Sequence, residues 1–66
     1  MPTRRKIAME LYPDRSVRNA VRQLHADILR CKELHQKLLA RNPDFDGMRN
    51  LTYREQRLIW EYLGEP

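Results

Sequence analysis

Hydrophobic positions recur at helical spacing in three blocks, and prolines interrupt the chain between them. In the first block Ile7, Ala8 and Leu11 form an inward stripe, with Thr3 placed to cap the start. Pro13 stops this helix, because the residue before a proline is pushed out of the helical region. Asp14 and Ser16 are both good N-caps for the second helix. In the second block Val17, Val21, Leu24, Ile28, Cys31, His35 and Leu38 alternate spacings of four and three, a seam that predicts one long helix to about Arg41. Asn42-Pro43 ends it, and "NPDFDG" supplies a chain reversal. In the third, Thr52 and Glu55 have the spacing of a capping box, and Leu51, Leu58, Ile59, Tyr62 and Leu63 give the apolar side. Gly64 terminates this helix and Pro66 prevents its continuation. No run alternates with period two for long enough to be a strand. The pattern predicts an all-α fold of three helices: one short, one long and central, one short and C-terminal.

Sixty-six residues suffice for one domain, spanning 1–66, and a domain this small buries only about 60% of the surface its unfolded chain exposes. No internal repeat or Gly/Ser linker suggests a second unit. The lone Cys31 cannot form an internal disulfide, and no Cys/His tetrad offers a structural zinc, so self-association is one route to added stability. No apolar run approaches the roughly 20 residues of a membrane span, and "MPTRRKIAMELYPD" lacks the features of a secretory signal. A cytoplasmic protein is expected.

Charge changes the picture more than size does. Residues 1–30 hold seven basic and three acidic side chains, a net +4, whereas residues 31–66 hold six of each. The whole excess lies in the half that contains the first turn, as expected if that half meets a polyanion. A helix-turn-helix lays its second helix, by its N-terminal residues, in the major groove of DNA. At about 100° per residue, Arg15, Arg18, Asn19 and Arg22 fall opposite the Val17/Val21/Leu24 seam. Arginine reads guanine and asparagine or glutamine reads adenine, and Asn19 and Gln23 lie among the arginines. Arg4, Arg5 and Lys6 would neutralise phosphate. The turn "YPDRS" is longer than the common connection and has no glycine.

Leu29, Leu34 and Leu39 broaden the apolar surface of the long helix. A third helix of about 18 Å covers only part of a second near 39 Å long, so a second copy of the chain is expected to cover the rest. A homodimer would also present two basic segments to two half-sites.

Other residue groups lead to blander readings. Cys31 and His35 share a helix face, but a metal needs further ligands, and the pair reads as interior packing. Trp60, Tyr53 and Tyr62 read as core or interface anchors rather than a stacking platform. The basic residues of helix two alternate with Asp27 and Glu33, which argues against a membrane surface. No acid/base pair or cleft-sized domain points to an enzyme, a cofactor or a small-molecule substrate.

The stretch "ELYPDRSVRNAVRQLHADI" resembles the brace, turn and recognition helix of small excisionase-like prokaryotic helix-turn-helix proteins. Together with the ending "LIWEYLGEP", the layout also resembles a family of short uncharacterised Bacteroides proteins, a domain of unknown function. The matching positions are Leu11, Tyr12, Pro13, Asp14, Ser16, Ala20, Leu24 and Ile28, then Leu58, Ile59, Tyr62, Leu63, Gly64, Glu65 and Pro66. The resemblance covers most of the chain, implies one compact domain and implies no catalytic residue. The leading expectation is a dimeric DNA-binding protein of the helix-turn-helix kind, a regulator or accessory factor. The alternative is a helical protein-interaction module.

Overall fold

A computed structural model describes all 66 residues. Four α-helices follow one another: α1 (Arg4–Leu11), α2 (Val17–Arg30), α3 (Lys32–Arg41) and α4 (Tyr53–Leu63), with one 3₁₀ turn (Phe45–Gly47) between α3 and α4. The fold is all-helical. Three of the starts are set by the expected side chains. Thr3 Oγ1 accepts from the Lys6 N–H at 3.1 Å and Ser16 Oγ accepts from the Asn19 N–H at 3.2 Å. Thr52 and Glu55 form the reciprocal capping box, with Oε1 of Glu55 accepting from the Thr52 N–H at 2.7 Å. Gly64, at φ +102°, ends α4 in a conformation that a side chain would strain.

The long central helix of the apolar pattern is two helices. Helical bonding closes where the Cys31 N–H donates to the Asp27 carbonyl at 3.1 Å and reopens where the His35 N–H donates to the Cys31 carbonyl at 3.0 Å. At φ −91°, ψ 86° Cys31 itself is outside the helical region. The reason lies in the core. In an unbroken helix Leu34 would point about 120° away from Ile28, yet both are fully buried. Breaking the helix at one residue turns Leu34 and Leu38 back onto the core that Ala20, Leu24 and Ile28 already face.

Ten fully buried side chains form that core: Ile7 and Ala8 from α1, the three from α2, the two from α3, then Phe45, Leu51 and Ile59. Ala8 and Ala20 supply the small side chains that a close crossing of α1 and α2 requires. The "NPDFDG" context of Phe45 implies no more than a chain reversal, and the 3₁₀ turn instead carries its ring inside. Val17, expected in the seam, is 43% exposed.

The expected interface residues separate. Leu34 is in the core, Leu39 is half-buried against it, and Leu29 is 44% exposed. Because α2 and α3 span only about 21 and 15 Å and turn about Cys31, the length mismatch that suggests a second copy does not arise.

One short pairing closes the chain on itself. Thr3 and Asn50 form an antiparallel bridge, with the Arg4 N–H donating to the Arg49 carbonyl and the Leu51 N–H to the Pro2 carbonyl, both at 2.9 Å. No helix is long and apolar enough to cross a membrane.

Phe45→Ala should cost about 3–5 kcal/mol through lost burial and a cavity. Val17→Ala should stay within about 0.5 kcal/mol. Urea denaturation followed by circular dichroism measures both, and equal midpoints for the two variants would contradict this division of the apolar residues.

Candidate nucleic-acid interface

Helices α1 and α2 pack against each other, and Tyr12 to Ser16 connect them. The Tyr12 N–H donates to the Ala8 carbonyl at 2.8 Å, which closes α1, and the Arg15 N–H donates to the Tyr12 carbonyl at 3.2 Å, which tightens the turn. The Tyr12 hydroxyl donates to the Asp27 carboxylate, and Gln23 Nε2 donates to the other carboxylate oxygen at 2.9 Å. Burial first, and then the Asp27 carboxylate, push the Tyr12 phenol well above its ordinary pKa. Asp27, one of only three acids in the basic half, is therefore turned onto the turn it stabilises. Gln23, expected to be free for a base, is committed to the same carboxylate.

Three arginines converge on the open side of this unit. Arg5 from α1 and Arg18 and Arg22 from α2 line a shallow depression of about 580 Å³, with Val17 and Val21 as its apolar part. No carboxylate lines it. A second depression shares Arg5 and Val21 and adds Arg49, Met48, Gly47, Asp46 and Arg4. Its acid, Asp46, is engaged by His35 Nε2, which contacts the two carboxylate oxygens at 3.0 and 3.1 Å. The ion pairs of the protein are Arg30–Asp27 and Lys37–Glu33, so Arg5, Arg18, Arg22 and Arg49 have none.

The other expected contact residues lie apart from this cluster. Arg15 is exposed in the turn. Asn19 is exposed about 100° around α2 from Arg18, and Lys6 about 100° around α1 from Arg5, so neither lines the depression.

Arg4 departs from the expectation that it neutralises phosphate. Only 9% of it is exposed, and its guanidinium points into the protein. Nε donates to the Met48 carbonyl at 3.0 Å, Nη2 donates to the Phe45 carbonyl, and Cζ stands 4.6 Å from the centre of the Phe45 ring. Burial lowers its pKa, while the charges of Asp46 and Glu55 act in the opposite direction. An arginine beside Ile7 and Ala8 in an apolar stripe is the only linear signal of this role.

Arg49 is absent from the contact set that the sequence suggests. It is 44 residues from Arg5 along the chain, and the Thr3–Asn50 bridge, with the Arg4 hydrogen bonds to Met48 and Phe45, brings it alongside. His35 and Cys31 do not gather further ligands: no group of three or more His, Cys, Asp or Glu side chains is arranged to hold a metal ion.

One family model, described as a domain of unknown function (DUF4248), matches residues 3–66. No curated protein and no solved structure matches the chain significantly.

Arg4→Ala should destabilise the fold by about 1.5–3 kcal/mol, the usual worth of charge-assisted hydrogen bonds, whereas Arg5→Ala should stay within about 0.5 kcal/mol. Thermal melts compare them, and similar losses for both would refute the buried role of Arg4. The Tyr12 phenol should ionise above its ordinary 10.0. Since its folded-state pKa is raised, its contribution to stability is complete below that value and is lost as pH rises through the folded pKa. Ultraviolet titration of the parent against Tyr12→Phe reads this directly.

Proposed function

We propose that the chain, which belongs to the DUF4248 family of unknown function, binds double-stranded DNA through α1, the Tyr12–Ser16 turn and α2. The mode is that of a helix-turn-helix, in a non-catalytic regulator or accessory factor. The observation that carries this reading is the convergence of Arg5, Arg18 and Arg22 on one open depression that no carboxylate lines. Arg18 and Arg22 are one turn apart on α2, where like charges repel and destabilise a helix slightly. Phosphate between them would relieve that repulsion.

Helix polarity supports the same reading. The positive end of a helix dipole favours acidic side chains in the first turn, and α3 and α4 obey with Glu33 and Glu55. Neither α1 nor α2 has an acid there. With Arg4 turned inward, they carry exposed Arg5 and Lys6, and exposed Arg18, respectively. This arrangement costs stability but concentrates positive potential at two helix starts, which suits an anion. In this reading Arg5, Arg18 and Arg22 hold phosphates or base edges, Arg49 extends the phosphate contact, and Arg15 and Asn19 flank the groove.

The rival reading, a helical protein-binding module or homodimer, has exposed Leu29 in its favour. In that reading Leu29→Glu abolishes association and leaves the arginines unimportant.

A fluorescence-anisotropy titration of random duplex DNA at several salt concentrations tests the proposal. Affinity should fall steeply with salt, and Arg18→Ala with Arg22→Ala should lower the slope of log K against log salt by about 1.8, at roughly 0.9 per neutralised phosphate. If the double variant is folded and binds with the parent's affinity and slope, the assignment is wrong. Leu29→Glu should leave this binding unchanged.

A further inference from the structure

A second basic cluster lies where α3 meets α4. Arg41, from the last turn of α3, and Arg54 and Arg57, from the first turns of α4, line one open depression with Leu58 and Glu61. An adjoining depression shares Arg41 and Arg54 and adds Asn42, Thr52 and Glu55. All three arginines are exposed and none is in an ion pair. This cluster shares no residue with the one on α1 and α2. It is built on the other pair of packed helices, α3 on α4.

Linear charge conceals it, because residues 31–66 carry as many acids as bases. Folding separates the two signs. Glu33 faces Lys37, Asp46 faces His35, and Glu55 is buried with one carboxylate oxygen bound to the Thr52 N–H. Glu61 is the exposed acid that lines the cluster, and the exposed Asp44 and Glu65 do not line it. The fold accounts for only one of the three arginines. Arg41 suits the negative end of α3, but Arg54 stands at the positive end of α4, and Arg57 sits one turn further along the same exposed side.

We propose that Arg41, Arg54 and Arg57 form a second surface for DNA phosphates, so that one chain contacts DNA on α1–α2 and again on α3–α4. The partner chemistry is set by the cluster. It has three guanidiniums, which pair bidentately with phosphate oxygens, against one exposed carboxylate, Glu61, and a single hydrophobic side chain, Leu58, so its charge fits a polyanionic backbone. This inference rests on the DNA-binding reading above.

The test is the same titration on random duplex DNA, with three further variants. Arg54→Ala with Arg57→Ala should lower the salt slope by about 1.8, Arg54→Lys with Arg57→Lys should keep it, and Glu61→Gln should raise affinity at low salt. Circular dichroism melts matching the parent's show that each variant is folded. If the alanine pair binds with the parent's slope while Arg18→Ala with Arg22→Ala loses slope, the second surface is refuted and the first stands. Loss of slope in the α4 pair alone supports the second surface and removes the first. A parent that binds no duplex at low salt overturns both. Should the lysine pair fail as the alanine pair does, phosphate charge is not what the cluster supplies, and the proposal falls.

Discussion

The guanidinium of Arg4 is the point on which the rest of the arrangement hangs. A cation taken from water needs hydrogen-bond acceptors and a polarisable neighbour, and this one finds two carbonyls and the face of Phe45. Those acceptors belong to residues more than 40 positions away, so a single side chain ties the first helix to the segment between α3 and α4. The backbone pairing of Pro2 to Arg4 with Arg49 to Leu51 runs beside it. Together they place Phe45 and Leu51 in the core and Arg49 next to Arg5. Removing the guanidinium takes a charge-assisted donor from both carbonyls, although the Phe45 carbonyl still accepts from the Met48 N–H at 3.1 Å.

Much of the fold is legible from local chemistry. Thr3, Ser16 and the Thr52/Glu55 box announce three helix starts because capping depends on residues three apart, and Pro13 and Gly64 announce two ends. The break at Cys31 is not legible. No proline or glycine lies between Asp14 and Asn42, and the seam through Cys31 and His35 is periodic enough for one helix. Burial of Leu34 overrides that periodicity, since one straight helix would turn it about 120° away from Ile28. Phe45 misleads for a related reason: turn-forming neighbours describe the backbone and say nothing of whether a ring between them reaches the core.

The candidate site is half legible. Arg5, Arg18 and Arg22 belong to the expected contact set, but spacing sets the two α2 arginines opposite Val17 and Val21, whereas they line one depression with those valines. Charge counts fail at Arg4 and Asp27, which enter the sum as though both faced water. The first is folded inward and the second is taken up by Tyr12 and Gln23. Counting fails again in the second half, where equal numbers of acids and bases hide a separation that exists only in three dimensions.

Each helix packs on its neighbour in the chain, and the bridge between Thr3 and Asn50 is the long-range closure. Helical neighbours find one another quickly, whereas joining segments more than 40 residues apart costs chain entropy that only the finished contact repays. The juxtaposition of Arg5 and Arg49 therefore exists only where that closure is made. An unfolded or half-assembled chain carries the same number of positive charges, but it strings them out, and a polyanion meets them as a dispersed tether rather than as a shaped surface.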